Sequence, residues 1–312
     1  MGSTTRRNGT ISIVIRFFRK IRNRALIFNL NLIKIYLARA IFKADVKTNF
    51  RFRSKIVLSS NFGGLGDNLQ LSTLPEEFWK QFGKSTYISA KSNHRNDEIF
   101  ELVWKSNPYV LGISNKRPIA GDLTAWRSLK NPKTTNVISH WEFTHGLNVT
   151  NECPKIYYTP KKIDGLNNTV LIDLSSITLF PSLGANTVNS YNPELLKIAI
   201  SRQLENYSNY DFVKVFFKND LNEKNSSAKN VDMILTDYEV RDVQVKSIFN
   251  YVDLMASCNA IITIYSGAAV LASSIKIYNP DLQIFTFITH QNYSHEMDNP
   301  NYIFKNINYV KY

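Results

Sequence analysis

Cysteine is nearly absent: Cys153 and Cys258 are the two thiols of a 312-residue chain. They provide neither a disulfide framework nor a metal-ligand spacing, and so few thiols fit a reducing compartment. Long apolar runs are missing too. No stretch of about eighteen uncharged apolar residues occurs, so a spanning helix is not expected. The run Ile11–Ile15 is cut by Arg16 before it reaches the length of a secretory signal core. No two aspartates stand two apart, the nearest approach being Asp237-Tyr-Glu239. The five histidines (His94, His140, His145, His290, His295) form no His-Glu-x-x-His pattern, and His140 and His145, five apart, do not share a helical face. No catalytic metal is expected.

Acid is scarce at one end only. Residues 1–55 hold 14 of the 38 Lys and Arg but a single acid, Asp45, which leaves 24 residues of each sign beyond Lys55. The net charge of +13 therefore belongs to the amino-terminal segment, and the electroneutral body argues against a nucleic-acid binder. On a helical wheel, Val14, Phe17, Phe18, Ile21, Ala25, Phe28, Leu32, Ile35 and Tyr36 fall within an arc of roughly 100°, with Arg16, Arg19, Lys20, Arg22 and Arg24 outside it. A basic amphipathic helix over residues 14–36 suits the interface of an anionic membrane, each cation contributing about 1 kcal/mol. From Leu26 onward the segment is apolar almost all round, so the same helix also fits a cap on the folded body. The expected location is cytoplasmic, peripheral on the inner face of the cytoplasmic membrane.

With 44% hydrophobic residues, the body can hold two ordinary cores. Beyond Lys55, β-branched runs alternate with helical patterns. Strands are expected at Ile56–Ser60, Thr86–Ala90 and Tyr109–Ser114, with a helix from the first turn to about Phe82, another over Asp97–Ser106 and one over 136–147. A second series follows: strands Thr169–Leu174, Phe212–Phe217, Met233–Thr236, Ala260–Tyr265 and Gln283–Thr289, with helices over Pro193–Asn206, Ser247–Ser257 and Ala268–Lys276. Strands separated by helices imply parallel sheets. The resulting division is a basic amphipathic segment (1–54), an α/β unit (55–150), a Pro- and Asn-rich linker (151–168) and a second α/β unit (169–312). Two doubly wound, Rossmann-like domains facing across a cleft place ligands between them.

Two turns carry the chemistry. In Asn61-Phe-Gly-Gly-Leu-Gly-Asp-Asn68, Gly63, Gly64 and Gly66 let the backbone turn sharply between a strand and a helix. Asp67 then faces the crevice at the carboxyl ends of the strands, where open α/β sheets bind ligands; Asp67 or Asn68 also suits a plain helix N-cap. A dinucleotide fingerprint fails because Leu69 stands where a third glycine is needed, and a phosphate-binding P-loop fails because Gly66-Asp67-Asn68 has no lysine. The second turn, Tyr265-Ser-Gly-Ala268, runs from strand to helix, and its amides with the Ser266 hydroxyl make an anion site or merely a tight connection. Together they suggest an acid above an attacking hydroxyl and a helix start holding a phosphate leaving group.

At these residues the chain resembles glycosyltransferase family 9, the ADP-heptose:lipopolysaccharide heptosyltransferases of the two-domain GT-B fold. Gly64-Leu-Gly66-Asp67 through Thr73-Leu-Pro75 is similar to that family's Gly-Asp turn and Thr-Pro helix, with a leucine between Thr73 and Pro75. Residues 253–272 resemble its donor signature, where Tyr265 replaces the family's acid and Val270 its histidine. Ser175 and Ser176 stand where the family tends to place a lysine.

The resemblance implies an inverting, metal-independent transfer of a sugar from a nucleotide-diphosphate donor to a glycan or lipid-linked acceptor in surface polysaccharide synthesis, with no cofactor. Asp67 is then the general base. Ser266, Gly267 and Ala268 hold the diphosphate with Ser175 and Ser176, and Lys218, just past Phe217, is a candidate cation that also reads as an exposed loop lysine. Gly64, Gly66, Asn68, Asn93, His94 and Arg95 flank the acceptor. The replaced acid and histidine leave a second reading, a catalytically inactive GT-B-like protein that binds a glycan or partner at the membrane surface.

Overall fold

Short runs of β-branched and apolar residues form parallel strands throughout. The computed structural model describes residues 55–60, 62–119, 135–174, 192–217, 234–290, 292–293 and 303–312. The amphipathic helix expected over 14–36 lies outside them. Both sheets belong to one unit, Arg53–Tyr312.

The first sheet is built from β1 (Lys55–Leu58), β2 (Ser85–Ser89) and β3 (Val110–Ser114), parallel and in that order. Between β1 and β2 the chain forms α1 (Leu65–Leu69) and α2 (Leu74–Phe82). The single helix expected to reach Phe82 is thus broken. Pro75 opens the second piece, where its missing N–H costs nothing. Between β2 and β3 lies α3 (Asp97–Phe100), capped by the Asn96 side chain, which runs into a π-helical turn over Glu101–Lys105. Asn136 caps α4 (Val137–Thr144).

The second sheet holds β4 (Thr169–Asp173), β5 (Asp211–Phe217), β6 (Val240–Val245), β7 (Ala260–Ile264), β8 (Gln283–Ile288) and β9 (Asn308–Lys311), all parallel in the order β6-β5-β4-β7-β8-β9. The chain winds outward from β4 and then returns to β7 on its other side, so the order reverses between these neighbours. Such a switch point opens a crevice at the carboxyl ends of the two strands. β4 and β7 are buried at every residue, as a sheet covered on both faces requires. One cover is α5 (Pro193–Glu205), which lays Leu196, Ile200 and Leu204 on Val170, Ile172 and Ile262. Two further helices, α6 (Ile248–Ser257) and α7 (Gly267–Ile275), flank β7 in sequence and are capped by Ser247 and Ser266.

Two strands differ from expectation. Ile234 and Leu235, expected within a strand, are helical and buried in the second core. The strand is instead β6, whose Arg241 and Asp242 are exposed at the sheet edge. β9 adds a further edge strand beyond β8.

The 151–168 segment has no regular element, but it is tied down at both ends. Asn151 donates to Glu77 (3.0 Å) and Glu142 (2.6 Å), and Lys155 and the Tyr157 hydroxyl reach Glu76 at 2.6 and 2.9 Å. Further on, Tyr158 and the Lys161 amide donate to Asp253 of α6, and the Ile163 amide to Ser257. Buried carboxylates on α2 and α4 thus act as anchors whose charges are met by hydrogen bonds.

Candidate active site

β1 delivers the chain to the carboxyl edge of the first sheet, and glycines turn it back. The loop after β2 closes on that turn: Asn93 N–H donates to Ser60 O (2.9 Å) and Arg95 N–H to Gly63 O (2.8 Å). A Cβ at Gly63 would stand 3.0 Å from the Arg95 nitrogen and 3.1 Å from Asn93 Oδ1, so a side chain there would part the two loops. Asn93, His94 and Arg95 are in this way brought beside the glycine turn that carries Asp67.

Helix α1 is capped by neither residue proposed for that role. Gly64 is the N-cap, and Asp67, in the first turn, reaches back so that its Oδ2 accepts the Gly64 amide at 3.1 Å, the acidic half of a capping box. Gly64 leaves room for this contact, since a Cβ there would lie 2.6 Å from Oδ2. The carboxyl group is half-buried. Burial pushes its pKa above the ordinary carboxylate value, and the opposing pull of the Gly64 amide and the Arg95 guanidinium does not cancel that rise. A carboxylate of raised basicity, held in one orientation, is suited to take a proton.

Asn68 corrects one expectation. It is fully buried, and it serves the loop rather than an acceptor. Its Nδ2 donates to Gly64 O (2.9 Å) and Phe62 O (3.4 Å), while its Oδ1 accepts from Trp104 Nε1 (2.9 Å) and His94 Nδ1 (3.1 Å). The His94 proton is placed on Nδ1 by this contact, and burial lowers the pKa of the ring despite nearby Asp97. Trp104 comes from the π-helical turn, a distortion that often marks functional sites.

Across from this loop stands the start of α7. Ser266 Oγ accepts the Ala268 amide (3.3 Å), and Ser266 O accepts those of Ala269 and Val270. The amides of this helix start, expected to be open to an anion, are therefore largely taken by Ser266; its hydroxyl keeps its own proton to donate. The two turns are in contact. A Cβ on Gly267 would lie 3.3 Å from the Gly66 nitrogen and 3.6 Å from Leu65 Cβ, and one on Gly66 would lie 3.4 Å from Val270 Cγ2. Val270 thus packs over the loop that bears Asp67. A second bridge joins α3 to α6, where Glu98 Oε2 accepts the Ile248 amide at 2.8 Å.

The switch point holds a carboxylate that sequence reading missed. Asp173, at the end of β4 and buried, accepts the hydroxyl of buried Tyr251. Burial and this neighbour push the Tyr251 hydroxyl well above its usual pKa. An aspartate closing the apolar run Thr-Val-Leu-Ile was the available signal. Ser175, Ser176 and Lys218 lie outside the described residues. Among the described residues, no helix is long and apolar enough to cross a membrane.

No protein-family model and no curated protein sequence matches the chain. Solved structures do. The glycosyl transferase family 9 structure from Veillonella parvula is 12% identical, with 83% of this chain and 86% of that one covered and a TM-score of 0.52. The ADP-heptose lps heptosyltransferase II of E. coli is 9% identical, with 82% and 89% covered and a TM-score of 0.51. The dodecameric iron-containing heptosyltransferase TibC, solved with ADP-D-β-D-heptose, is 12% identical, with 81% and 61% covered and a TM-score of 0.50. At such identities the likeness is one of fold.

Proposed function

We propose, starting from a fold shared with glycosyltransferase family 9, that this chain transfers a sugar from a nucleotide-diphosphate donor to a glycan or lipid-linked acceptor, with inversion and without a metal. The observation that carries the reading is the contact between the Asp67 loop and the Ser266-Gly267 turn. It brings a raised-pKa carboxylate and a helix start at a switch point into one site.

In this reading the acceptor hydroxyl gives its proton to the Asp67 carboxylate as its oxygen bonds to the anomeric carbon. The bond from that carbon to the diphosphate oxygen breaks in the same displacement, which inverts the carbon. The leaving diphosphate takes the electron pair, and the Ser266 hydroxyl donates to it, with Ser175, Ser176 and Lys218 as further donors. General-base help of this kind contributes about 10²–10⁴-fold. Arg95 and Asn93 flank the acceptor. Metal independence rests on the missing Asp-x-Asp pair, and ADP-heptose, the ligand of TibC, exemplifies the donor class. Residues 14–36 are assigned to the anionic membrane surface where a lipid-linked acceptor resides.

The test is incubation with a panel of nucleotide-activated sugars and a bacterial glycolipid extract, with products read by NMR. Transfer with an inverted anomeric centre is expected; retention would overturn the mechanism. The packing of Val270 over Gly66, in place of the family's histidine, favours one other reading, an inactive binder of glycans. Glycan binding without turnover of any donor supports that second reading.

A further inference from the structure

Three glycines leave only three side chains on the loop from Phe62 to Asp67. Two are committed. Leu65 packs at the Gly267 turn, and Asp67 folds back to the Gly64 amide. The third, Phe62, is 51% exposed at the carboxyl edge of the first sheet.

Its backbone is nonetheless held firmly. The Phe62 carbonyl accepts from Ser60 Oγ at 2.8 Å and from buried Asn68 Nδ2 at 3.4 Å, and the next carbonyl, Gly63 O, accepts the Arg95 amide at 2.8 Å. A carbonyl turned inward on both sides of the peptide leaves the ring to stand outward from a fixed base. Leaving an aromatic half in water forgoes the free energy of burying that face. A flat apolar face on a rigid mount recovers that loss when another flat apolar face stacks on it.

We infer that Phe62 is a stacking platform for a pyranose ring of the acceptor, placing the sugar beside Asp67. A pyranose has one face rich in C–H bonds and a rim of hydroxyls. The ring of Phe62 matches the first, while Asp67, Arg95 and Asn93 on the same pair of loops match the second. The platform orients the acceptor and takes no part in bond making, so Phe62 is a positioning residue. The inference rests on the sugar-transfer reading of this site for the identity of its ligand.

Saturation-transfer NMR on the full chain tests it, with methyl α-D-glucopyranoside, methyl α-D-mannopyranoside and methyl β-D-galactopyranoside as probes. At least one probe is expected to receive saturation on its ring C–H protons. Phe62→Ala is expected to weaken that binding about tenfold and Phe62→Leu severalfold, while Phe62→Trp keeps it, as a contact between flat faces requires. Saturation of no probe, or equal binding by wild type and Phe62→Ala, overturns the inference. Binding of ADP and UDP by calorimetry is expected to be unchanged in all three variants. A chain that needs Phe62 for the glycosides but turns over no nucleotide sugar keeps the platform and loses the transferase reading. A chain that turns over a donor equally well with Phe62→Ala keeps the transferase and loses the platform.

Discussion

Gly66 and Gly267 touch: a Cβ on Gly267 would come within 3.3 Å of the Gly66 nitrogen, so two helix starts from different sheets share one point of contact. The two glycines predict different outcomes. Gly66→Ala meets Val270 Cγ2 at 3.4 Å, an ordinary contact, and gains helix propensity, so urea unfolding is expected to change by less than about 1 kcal/mol. Gly267→Val drives a branched side chain into the Gly66 backbone and is expected to cost about 1–3 kcal/mol. Equal effects of the two substitutions would contradict this contact.

The Gly64→Ala variant keeps Asp67 but puts a Cβ 2.6 Å from its Oδ2. The carboxylate must swing away. Misplacement of a reacting group by about 1 Å costs up to 10²-fold, so kcat is expected to fall by one to two orders of magnitude while nucleotide binding persists. Calorimetry with ADP or UDP, alongside initial rates, separates the two effects. A Gly64→Ala variant of wild-type rate would remove Asp67 from the proposed chemistry.

Asn68→Ala leaves Trp104 Nε1 and His94 Nδ1 without their acceptor, while the Phe62 and Gly64 carbonyls keep Ser60 Oγ and the residue-68 amide as donors. Each buried group left unmet costs about 1–3 kcal/mol, so a loss of about 2–4 kcal/mol in urea unfolding is expected. Asn68 placed in contact with an acceptor instead of the fold would show a KM change and a stability within about 0.5 kcal/mol of wild type.

Stability is expected to fall between about pH 6.5 and pH 4. Burial lowers the pKa of His140 and of His145 from 6.5 to about 4; the His145 ring adds to the fall at His140, and at His145 the Trp141 carbonyl, accepting from Nδ1, opposes the fall only in part. Both rings are neutral in the fold. The unfolded chain takes up two protons near pH 6.5 that the folded chain refuses, so stability is full above that pH and is lost as pH falls. The slope reaches about 2.7 kcal/mol per pH unit. Asp67 and Glu142, whose carboxyls burial raises, act in the opposite direction and within the carboxylate range. His145→Asn, whose amide can still donate to Trp141 O, is expected to halve the slope. An unchanged slope in that variant would show that His145 takes up its proton equally in the folded and unfolded chain, contrary to this account.

What the sequence disclosed followed from how locally each feature is encoded. Ala260-Ile-Ile-Thr-Ile264 is apolar but for Thr263 and carries no charge because both faces of β7 are buried, and that pattern is visible in five residues. Glycines at 63, 64 and 66 announce a tight turn on their own. By contrast, Val240-Arg-Asp-Val-Gln-Val245 lies at a sheet edge, where water tolerates Arg241 and Asp242, and its pattern resembles a loop. The contacts that complete the site join distant residues: Trp104 to Asn68 over 36 positions, Tyr251 to Asp173 over 78, Glu98 to Ile248 over 150. No local pattern encodes such pairings. Asn68 was misjudged for the same reason, since its place beside Asp67 gives no hint that it is buried against Trp104.

The most direct measurement is kcat for Asp67→Asn on whichever nucleotide sugar the wild type turns over. The asparagine preserves shape and can accept the Gly64 amide, yet it cannot take a proton. The account predicts a kcat at least about 100-fold lower with donor binding unchanged; a kcat within twofold of wild type would contradict it.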